Sequence, residues 1–318
     1  MKICVAGQGA FGQKHLDALK RIEGVEVTSL VGGSAASTAE VAKKYGIPHH
    51  TLDLAEGIKR ADAVILTTPT KLHFRQGEQV MRAGKHVLIE IPVADSVEDA
   101  ERLVQTAANA RVVAMGGHVR RFNPSHQWVH KRIGKGELKI QQMDVQTYFF
   151  RRRNINAAGN PRSWTDHLLW HHAAHTVDLF QYQTGETISD CYAVQGPQHP
   201  ELAIAMDLGI VAKVPSGAIL TLSLSFNNDG PLGSFFRYIC DNGTYQAYYD
   251  DLADGKKNPI DVTKVDVSMD GIELCDREFI AAIREKREPN ASLAQLLPCM
   301  RTLGRLEKIV DPQRRAHA

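Results

Sequence analysis

No stretch of this chain reaches the ~18 consecutive apolar residues of a membrane span, so a membrane-spanning helix is not expected. Charge of one sign is also lacking. The 38 Lys and Arg against 36 Asp and Glu leave a formal net charge of +2, which gives no reason to expect nucleic acid or a membrane surface as partner. Cysteine is scarce: Cys4, Cys191, Cys240, Cys275 and Cys299 are odd in number, scattered, and form no CxxC pair. Reduced thiols in a cytoplasmic protein are expected. Internal repeats and low-complexity segments are absent. Residues 1–6 run straight into a glycine motif, so no secretory leader is expected. What remains is ordinary for a globular protein: 43% hydrophobic and 23% charged residues over 318 positions, enough for two domains with sizeable cores.

The glycine motif follows a short apolar strand, residues 2–6, and precedes a helix expected over 14–21. Gly7-Gln8-Gly9-Ala10-Phe11-Gly12 is therefore a GxGxxG in the strand-turn-helix setting of a dinucleotide site. Gly7 permits the tight turn, Gly9 lets a pyrophosphate approach the backbone, and Gly12 allows helix and strand to pack closely. Gln8, Ala10 and Phe11 share the cofactor-binding assignment, and the helix N-terminus offers free N–H groups to phosphates.

The second strand, 25–31, ends without an acid. NAD enzymes usually carry a carboxylate there for the ribose hydroxyls, but this chain has Gly32-Gly33-Ser34 and no acid until Glu40. A carboxylate would repel a 2′-phosphate, so its absence favours NADP, with NAD possible. Gly33 and Ser34 join the cofactor-binding candidates; Ser34 and Ser37 could hydrogen-bond the phosphate or simply cap the next helix.

Alternating helices (39–45, 74–83, 98–108) and strands (63–66, 86–89, 112–115) then predict a doubly wound parallel sheet. Ligands of such sheets bind beyond the carboxyl ends of the strands. That places Thr68, Pro69, Thr70, His73, Glu90 and Arg121 on one crevice. His73 and His118 also read as satisfied structural residues beside it.

Between Trp164 and Asp178, four of the chain's fourteen histidines fall within nine residues. On an α-helix, His167, His171, His175 and Asp178 lie within ~80° of one another. Leu168, Leu169, Ala173, Ala174 and Val177 supply apolar surface around the rest. Such a stripe suits proton transfer near neutral pH. His171 and His175 also have the i, i+4 spacing of a zinc pair, but no third ligand is evident and no metal is expected. His172 turns ~100° away and reads equally as a packing residue.

The second half carries expected strands at 138–150, 190–194, 203–213, 218–225 and 235–241. Residues 215–217 and 241–243 read as hairpin turns, and 276–285 and 293–310 as terminal helices. Asp144, Gln146 and Tyr148 alternate with Met143, Val145 and Thr147, so one face of the long strand is polar. Arg151, Arg152 and Arg153 follow it, on alternating sides if the strand continues.

Taken together, the 7–12 turn, Thr68-Pro69-Thr70 with His73, Ala83-Gly84-Lys85-His86-Val87, Glu90-Ile91-Pro92, Gly117-His118 with Arg121-Phe122, and His175 with Asp178 resemble one family. It is the family of glucose-fructose oxidoreductase, inositol dehydrogenase and rhizopine-catabolism proteins. The resemblance spans the whole chain. It implies an α/β protein: an N-terminal Rossmann doubly wound parallel sheet and a C-terminal α/β domain with a large open, mostly antiparallel sheet. It places Glu90 and Pro92 at the nicotinamide end of the cofactor. The expected division is a dinucleotide-binding domain at 1–121 and a substrate-binding and dimerisation domain at 122–318, the terminal helix packing back on the first. An open sheet face exposes apolar surface, so a homodimer through it is expected.

Two departures stand out. Most of the family has a catalytic lysine in a Glu-Lys-Pro motif, where this chain has Ile91, and the usual Asp-x-x-x-His reads His171-x-x-x-His175. Three longer runs, 141–150, 163–175 and 225–233, resemble a branch that works in aromatic-compound degradation. Its dicarboxylate substrate closes to a cyclic hemiacetal, which is oxidised with NADP to a lactone. On that reading His175, with His171 second, is the catalytic base. Arg121 and one of Arg151, Arg152 and Arg153 hold carboxylates through arginine's planar fork, with Trp164 and His167 completing the substrate site. The arginine run reads equally as a solvated edge. A dehydrogenase of a sugar, inositol or other carboxylated hydroxy-compound, and a cofactor-sensing regulator without catalysis, stand as alternatives.

Overall fold

The computed structural model describes residues 1–155, 159, 165–262 and 271–311. Trp164, a candidate substrate contact, lies outside the described residues. The chain divides into two compact units, Met1–Val119 with Val267–Leu297, and Arg120–Asp266 with Pro298–Ala318.

Unit 1 alternates strands and helices: β1 (Lys2–Ala6), α1 (Ala10–Leu19), β2 (Glu26–Val31), α2 (Ala35–Tyr45), β3 (His50–Thr51), α3 (Leu54–Ile58), β4 (Ala63–Leu66), α4 (His73–Arg82), β5 (His86–Ile89), α5 (Val97–Ala110) and β6 (Ala114–Gly116). The strands form one parallel sheet in the order β3-β2-β1-β4-β5-β6. This is the doubly wound order, with its reversal between β1 and β4. β1 and β4 lie at its centre and are buried on both faces, which is why they read as unbroken apolar runs. Helix α1 starts at Ala10 rather than at 14, because the glycine turn ends at Gly9, whose carbonyl accepts the first helical bond from Gln13. Helix α2 starts at Ala35 rather than at 39: Ser34 is extended at its N-cap, and Gly46 closes it in the left-handed region (φ +70°).

Unit 2 contains α6 (Pro124–Gly134), β7 (Ile140–Tyr148), a π-helix (Leu168–Ala173), α7 (Ala174–Thr184), β8 (Asp190–Gln195), β9 (Asp207–Lys213), β10 (Ile219–Ser225), β11 (Gly233–Cys240), β12 (Gly243–Tyr248) and β13 (Asp251–Asp254). Helix α8 (Ile272–Glu285) returns to unit 1, where it packs on α1, and α9 (Leu293–Val310) follows it. The seven strands run β13-β12-β11-β7-β10-β9-β8. All pairs are antiparallel except β7 with β10. Both expected hairpins form: Gly217 (φ +95°) turns between β9 and β10, and Gly243 (φ +150°) between β11 and β12.

The inner face of this sheet holds Met143, Val145, Leu220, Leu222, Leu224, Ile210, Phe236 and Tyr238, all buried. The outer face carries Asp144, Gln146, Thr221, Ser223 and Arg237, with exposed Tyr192, Val194 and Val211 among them. The strand expected to run to residue 150 ends at Tyr148. Beyond it Phe150 makes only an isolated bridge to Asn227, so strand alternation does not govern the arginines.

Candidate active site

In unit 1 the cofactor cradle is built at the point where the strand order reverses. Gly7 sits at φ +116°, and a Cβ there would lie 2.2 Å from Thr67 Oγ1 at the end of β4. Gly12 packs so closely that a Cβ would lie 1.8 Å from the Gly7 carbonyl oxygen. Gly9 is different: a Cβ there meets nothing within 4 Å. The motif thus leaves open space in front of the α1 N-terminus, where two glycines are required by packing and the middle one by nothing in the protein. That is the arrangement a pyrophosphate needs, and the residues fit the group.

The far end of the cradle is organised by Gln8. Its Oε1 accepts from the Gly33 N–H at 3.1 Å and its Nε2 donates to Ser37 Oγ at 3.0 Å. Ser34 is exposed, makes no side-chain capping bond, and shares a 2.6 Å hydrogen bond with Ser37. The capping role for Ser34 is therefore not the one it plays. The 33–37 edge thus presents hydroxyls and no carboxylate.

Thr68, Pro69 and Thr70 follow β4, and Glu90, Ile91 and Pro92 follow β5, with the Ile91–Pro92 peptide cis. His73 departs from its assignment as a cofactor contact. It is buried, and its ring nitrogens lie 2.8 Å from the Pro92 carbonyl and 2.7 Å from the Thr68 carbonyl. It ties the two loops together instead of facing a ligand. Glu90 is held by His15 of α1, which also binds Asp276 of α8. No sequence pattern links these three positions.

In unit 2 the histidine stretch is not one α-helix. His167 lies before it with an extended backbone, and its Nδ1 accepts from the Leu169 N–H at 3.1 Å. It caps the π-helix and is not part of a stripe with His171 and His175. His171 lies in the π-helix and His175 in the first turn of α7, so the widened turn holds one catalytic candidate and the other follows it. π-Turns inside helices frequently mark functional sites. His171 Nδ1 accepts from the His167 N–H at 3.0 Å. With Nδ1 an acceptor, the neutral ring carries its proton on Nε2, where it is a donor and not a base. His175, half-buried, is left as the candidate base.

Asp178 follows His175 in α7. It forms a two-pronged pair with Arg121, Nε to Oδ2 at 2.8 Å and the terminal amine to Oδ1 at 2.6 Å. Both side chains are buried, and the guanidinium lies over the Tyr182 ring. Burial opposes the charge on Arg121, and Asp178 outweighs it, raising the pKa. Arg121 is thus committed to the fold, and its assignment as a carboxylate or cofactor ligand is corrected.

Arg151 is likewise paired, with Asp166, and lies over Phe226. Asp166 also faces His172 Nε2 at 3.1 Å, so it joins the arginine run to the histidine stretch. His172 packs against Phe149 and Phe226, the packing role the sequence left open. Arg152 donates to the carbonyls of Arg151 and Phe226 and to Asn227 Oδ1. Arg153 is exposed and has no partner among the described residues. Asp166 carries no signal in sequence, because only the fold brings it beside residue 151. Among the described residues no group of three or more His, Cys, Asp and Glu is placed to hold a metal ion, and no helix is long and apolar enough to cross a membrane.

Both halves of the chain have counterparts in known proteins. Residues 1–118 match the model described as "Oxidoreductase family, NAD-binding Rossmann fold", and residues 124–266 match "Bacterial oxidoreductases, C-terminal". The chain is 63% identical over 315 residues, 98% of its length and 100% of the relative's, to 4-carboxy-2-hydroxymuconate-6-semialdehyde dehydrogenase of Sphingobium sp.. The chain belongs to the glucose-fructose oxidoreductase, inositol dehydrogenase and rhizopine-catabolism family. As a member of that family it is an NAD(P)-dependent oxidoreductase, and the non-catalytic regulator falls away. The fold is shared with UDP-N-acetylglucosamine 3-dehydrogenase of Acidithiobacillus ferrooxidans, at TM-score 0.84 and 21% identity over 98% of each chain. It is shared too with levoglucosan dehydrogenase in complex with NADH, at TM-score 0.87 and 17% identity over 98% of this chain and 97% of that one.

Proposed function

We propose that the protein oxidises the cyclic hemiacetal of 4-carboxy-2-hydroxymuconate-6-semialdehyde to the lactone 2-pyrone-4,6-dicarboxylate, with NADP, in the protocatechuate 4,5-cleavage route of aromatic degradation. The observation that carries this reading is the 63% identity, over the full length of the relative, to a dehydrogenase named for that substrate. Ile91 in the place of the family's lysine, and His171 in the place of its aspartate, support a proton-transfer apparatus unlike that of the sugar members.

Bound dinucleotide supplies the hydride acceptor. Unit 1 holds it through the 7–12 turn, with the Gly33–Ser34 edge taking the 2′-phosphate. In unit 2, His175 removes the hydroxyl proton of the hemiacetal, and His171, protonated at Nε2, donates a hydrogen bond to a substrate oxygen. The carboxylates are held from the 151–153 segment. Arg153 is the principal candidate, because Arg121 and Arg151 are paired within the protein. Trp164 and His167 complete this set. The chain is proposed to work as a cytoplasmic homodimer. The outer face of the seven-stranded sheet, with Tyr192 63% and Val194 59% exposed, is the surface proposed for pairing.

The test is to supply the ring-cleavage product of protocatechuate and follow nicotinamide reduction with NADP and NAD in parallel. Reduction with appearance of the pyrone dicarboxylate, faster with NADP, is expected. A protein that binds NADP and reduces neither cofactor with this compound is not this dehydrogenase, and sugars, inositols and hydroxy acids are then the substrates to try.

A further inference from the structure

A buried acid–imidazole–acid chain runs through unit 1. His15 Nδ1 lies 2.8 Å and 3.0 Å from the two Asp276 oxygens, and its Nε2 lies 3.1 Å from Glu90 Oε1. His15 and Asp276 have no exposed surface, and Glu90 is 8% exposed. The Glu90 carboxylate also packs directly on backbone: a Cβ on Gly117 would lie 2.3 Å from Oε1.

The charge of this chain follows from counting protons, wherever they sit. Each contact between a ring nitrogen and a carboxylate needs one proton between them. Two protons shared by one imidazole and two carboxylates leave a net charge of −1. The count is the same for an imidazolium between two carboxylates and for a neutral ring with one protonated acid. Burial pulls the His15 pKa down, but Asp276 and then Glu90 outweigh it and carry it up to about 10; burial also raises the Asp276 carboxyl against the pull of His15, and either placement of the two protons leaves the same net charge. Among the described residues, no Lys or Arg forms an ion pair with Glu90 or Asp276. The neighbouring Glu273 is met by Arg277 of α8 and by Arg21.

A buried charge is costly unless an opposite charge meets it. The end of this chain that approaches the surface is Glu90, beyond β5, at the edge where ligands of a parallel sheet bind. The doubly wound sheet comprises two mononucleotide halves: β1–β3 begin with the phosphate turn, and β4–β6 form the other half. We infer that His15 and Asp276 are positioning residues that hold Glu90 as the outlet of a buried monoanion, and that this charge selects the oxidised, positively charged nicotinamide over the reduced, neutral one. This deepens the reading of the protein as a dehydrogenase and rests on it. The pair acts through Glu90 and need not touch the cofactor.

The test compares the affinities of the full-length protein for NADP⁺ and NADPH, and for NAD⁺ and NADH, by calorimetric titration. The variant is the pair E90Q with D276N, whose amides can hydrogen-bond both nitrogens of a neutral imidazole and leave no net charge. The unmodified protein is expected to bind the oxidised form at least as tightly as the reduced. In the variant the ratio is expected to move toward the reduced form by about tenfold or more, the scale of one charge in an effective dielectric near ~20. An unchanged ratio in a folded variant overturns the inference. So does an unmodified protein that prefers the reduced form, a result that does not depend on the variant folding. Failure on the semialdehyde substrate would overturn the proposed substrate and leave these ratios as they are.

Discussion

Replacing Asp178 by Ala removes the counter-charge of a guanidinium buried in unit 2. In the native protein the two side chains are only 5% and 2% exposed, and two hydrogen bonds of 2.8 Å and 2.6 Å join them in fork geometry. Water cannot take the carboxylate's place without opening the packing of Arg121 on Tyr182. Breaking a buried pair from one side typically costs about 3–5 kcal/mol, most of it the penalty of leaving a charge unpaired. For a domain of this size each kcal/mol lowers the melting temperature by roughly 2–4 °C, so a loss of roughly 6–20 °C is expected. The assay is thermal unfolding followed by circular dichroism, on D178A and on the pair R121M with D178L. The paired variant removes both charges and is expected to recover most of the loss. A fall of less than about 2 °C in D178A, or a paired variant no more stable than the single one, would refute the claim that this pair is structural.

Three further outcomes are expected. His175→Ala lowers turnover by about 10²–10⁴, the usual worth of a general base, and leaves NADP affinity within about threefold; near-normal turnover assigns the base elsewhere. Gly33→Asp shifts preference from NADP toward NAD by about tenfold or more, since a carboxylate repels the 2′-phosphate. The substitution has room, because a Cβ at Gly33 meets only Gln8 Nε2 at 3.9 Å, and parallel affinity titrations read the shift. The third outcome concerns acid stability. Burial, and secondarily Arg120, hold the His126 imidazole well below its ordinary range. It stays neutral in the folded state while the unfolded chain takes up a proton, so its contribution is present above pH ~6.5 and declines as pH falls below that. Urea unfolding between pH 7 and 5 should therefore show a stability slope that is shallower in His126→Phe by up to about 1.4 kcal/mol per pH unit. Equal slopes would mean that another group carries the dependence.

Much of unit 1 was legible along the chain because its determinants are local. A strand, a glycine turn and a helix in succession dictate a phosphate cradle, and the missing acid after β2 is read from the consecutive residues 32–39. Apolar runs at β1, β4 and β5 announce strands buried on both faces. In unit 2 the alternation of Asp144, Gln146 and Tyr148 with Met143, Val145 and Thr147 foretold which face meets the core. The family likeness was carried by short motifs of this same local kind.

Only the tertiary structure decided which charged groups are available for chemistry. Arg121 and Arg151 look like ligand-binding cations in sequence, but pairing with Asp178 and Asp166 commits them, and a side chain's partner is a property of folded space. The histidine stretch obeyed the helical period in sequence, yet the π-helix at 168–173 separated His167, which caps it, from His171 within it and His175 beyond it. The monoanion of His15, Glu90 and Asp276 is the clearest instance. Glu90 and Asp276 lie 75 and 261 residues from His15, one in the loop after β5 and the other in α8, and nothing near any of them in the chain hints at the others. Local patterns report backbone preference and which side of an element is apolar; whether a charge is met, buried or left to a ligand is settled only when distant elements pack.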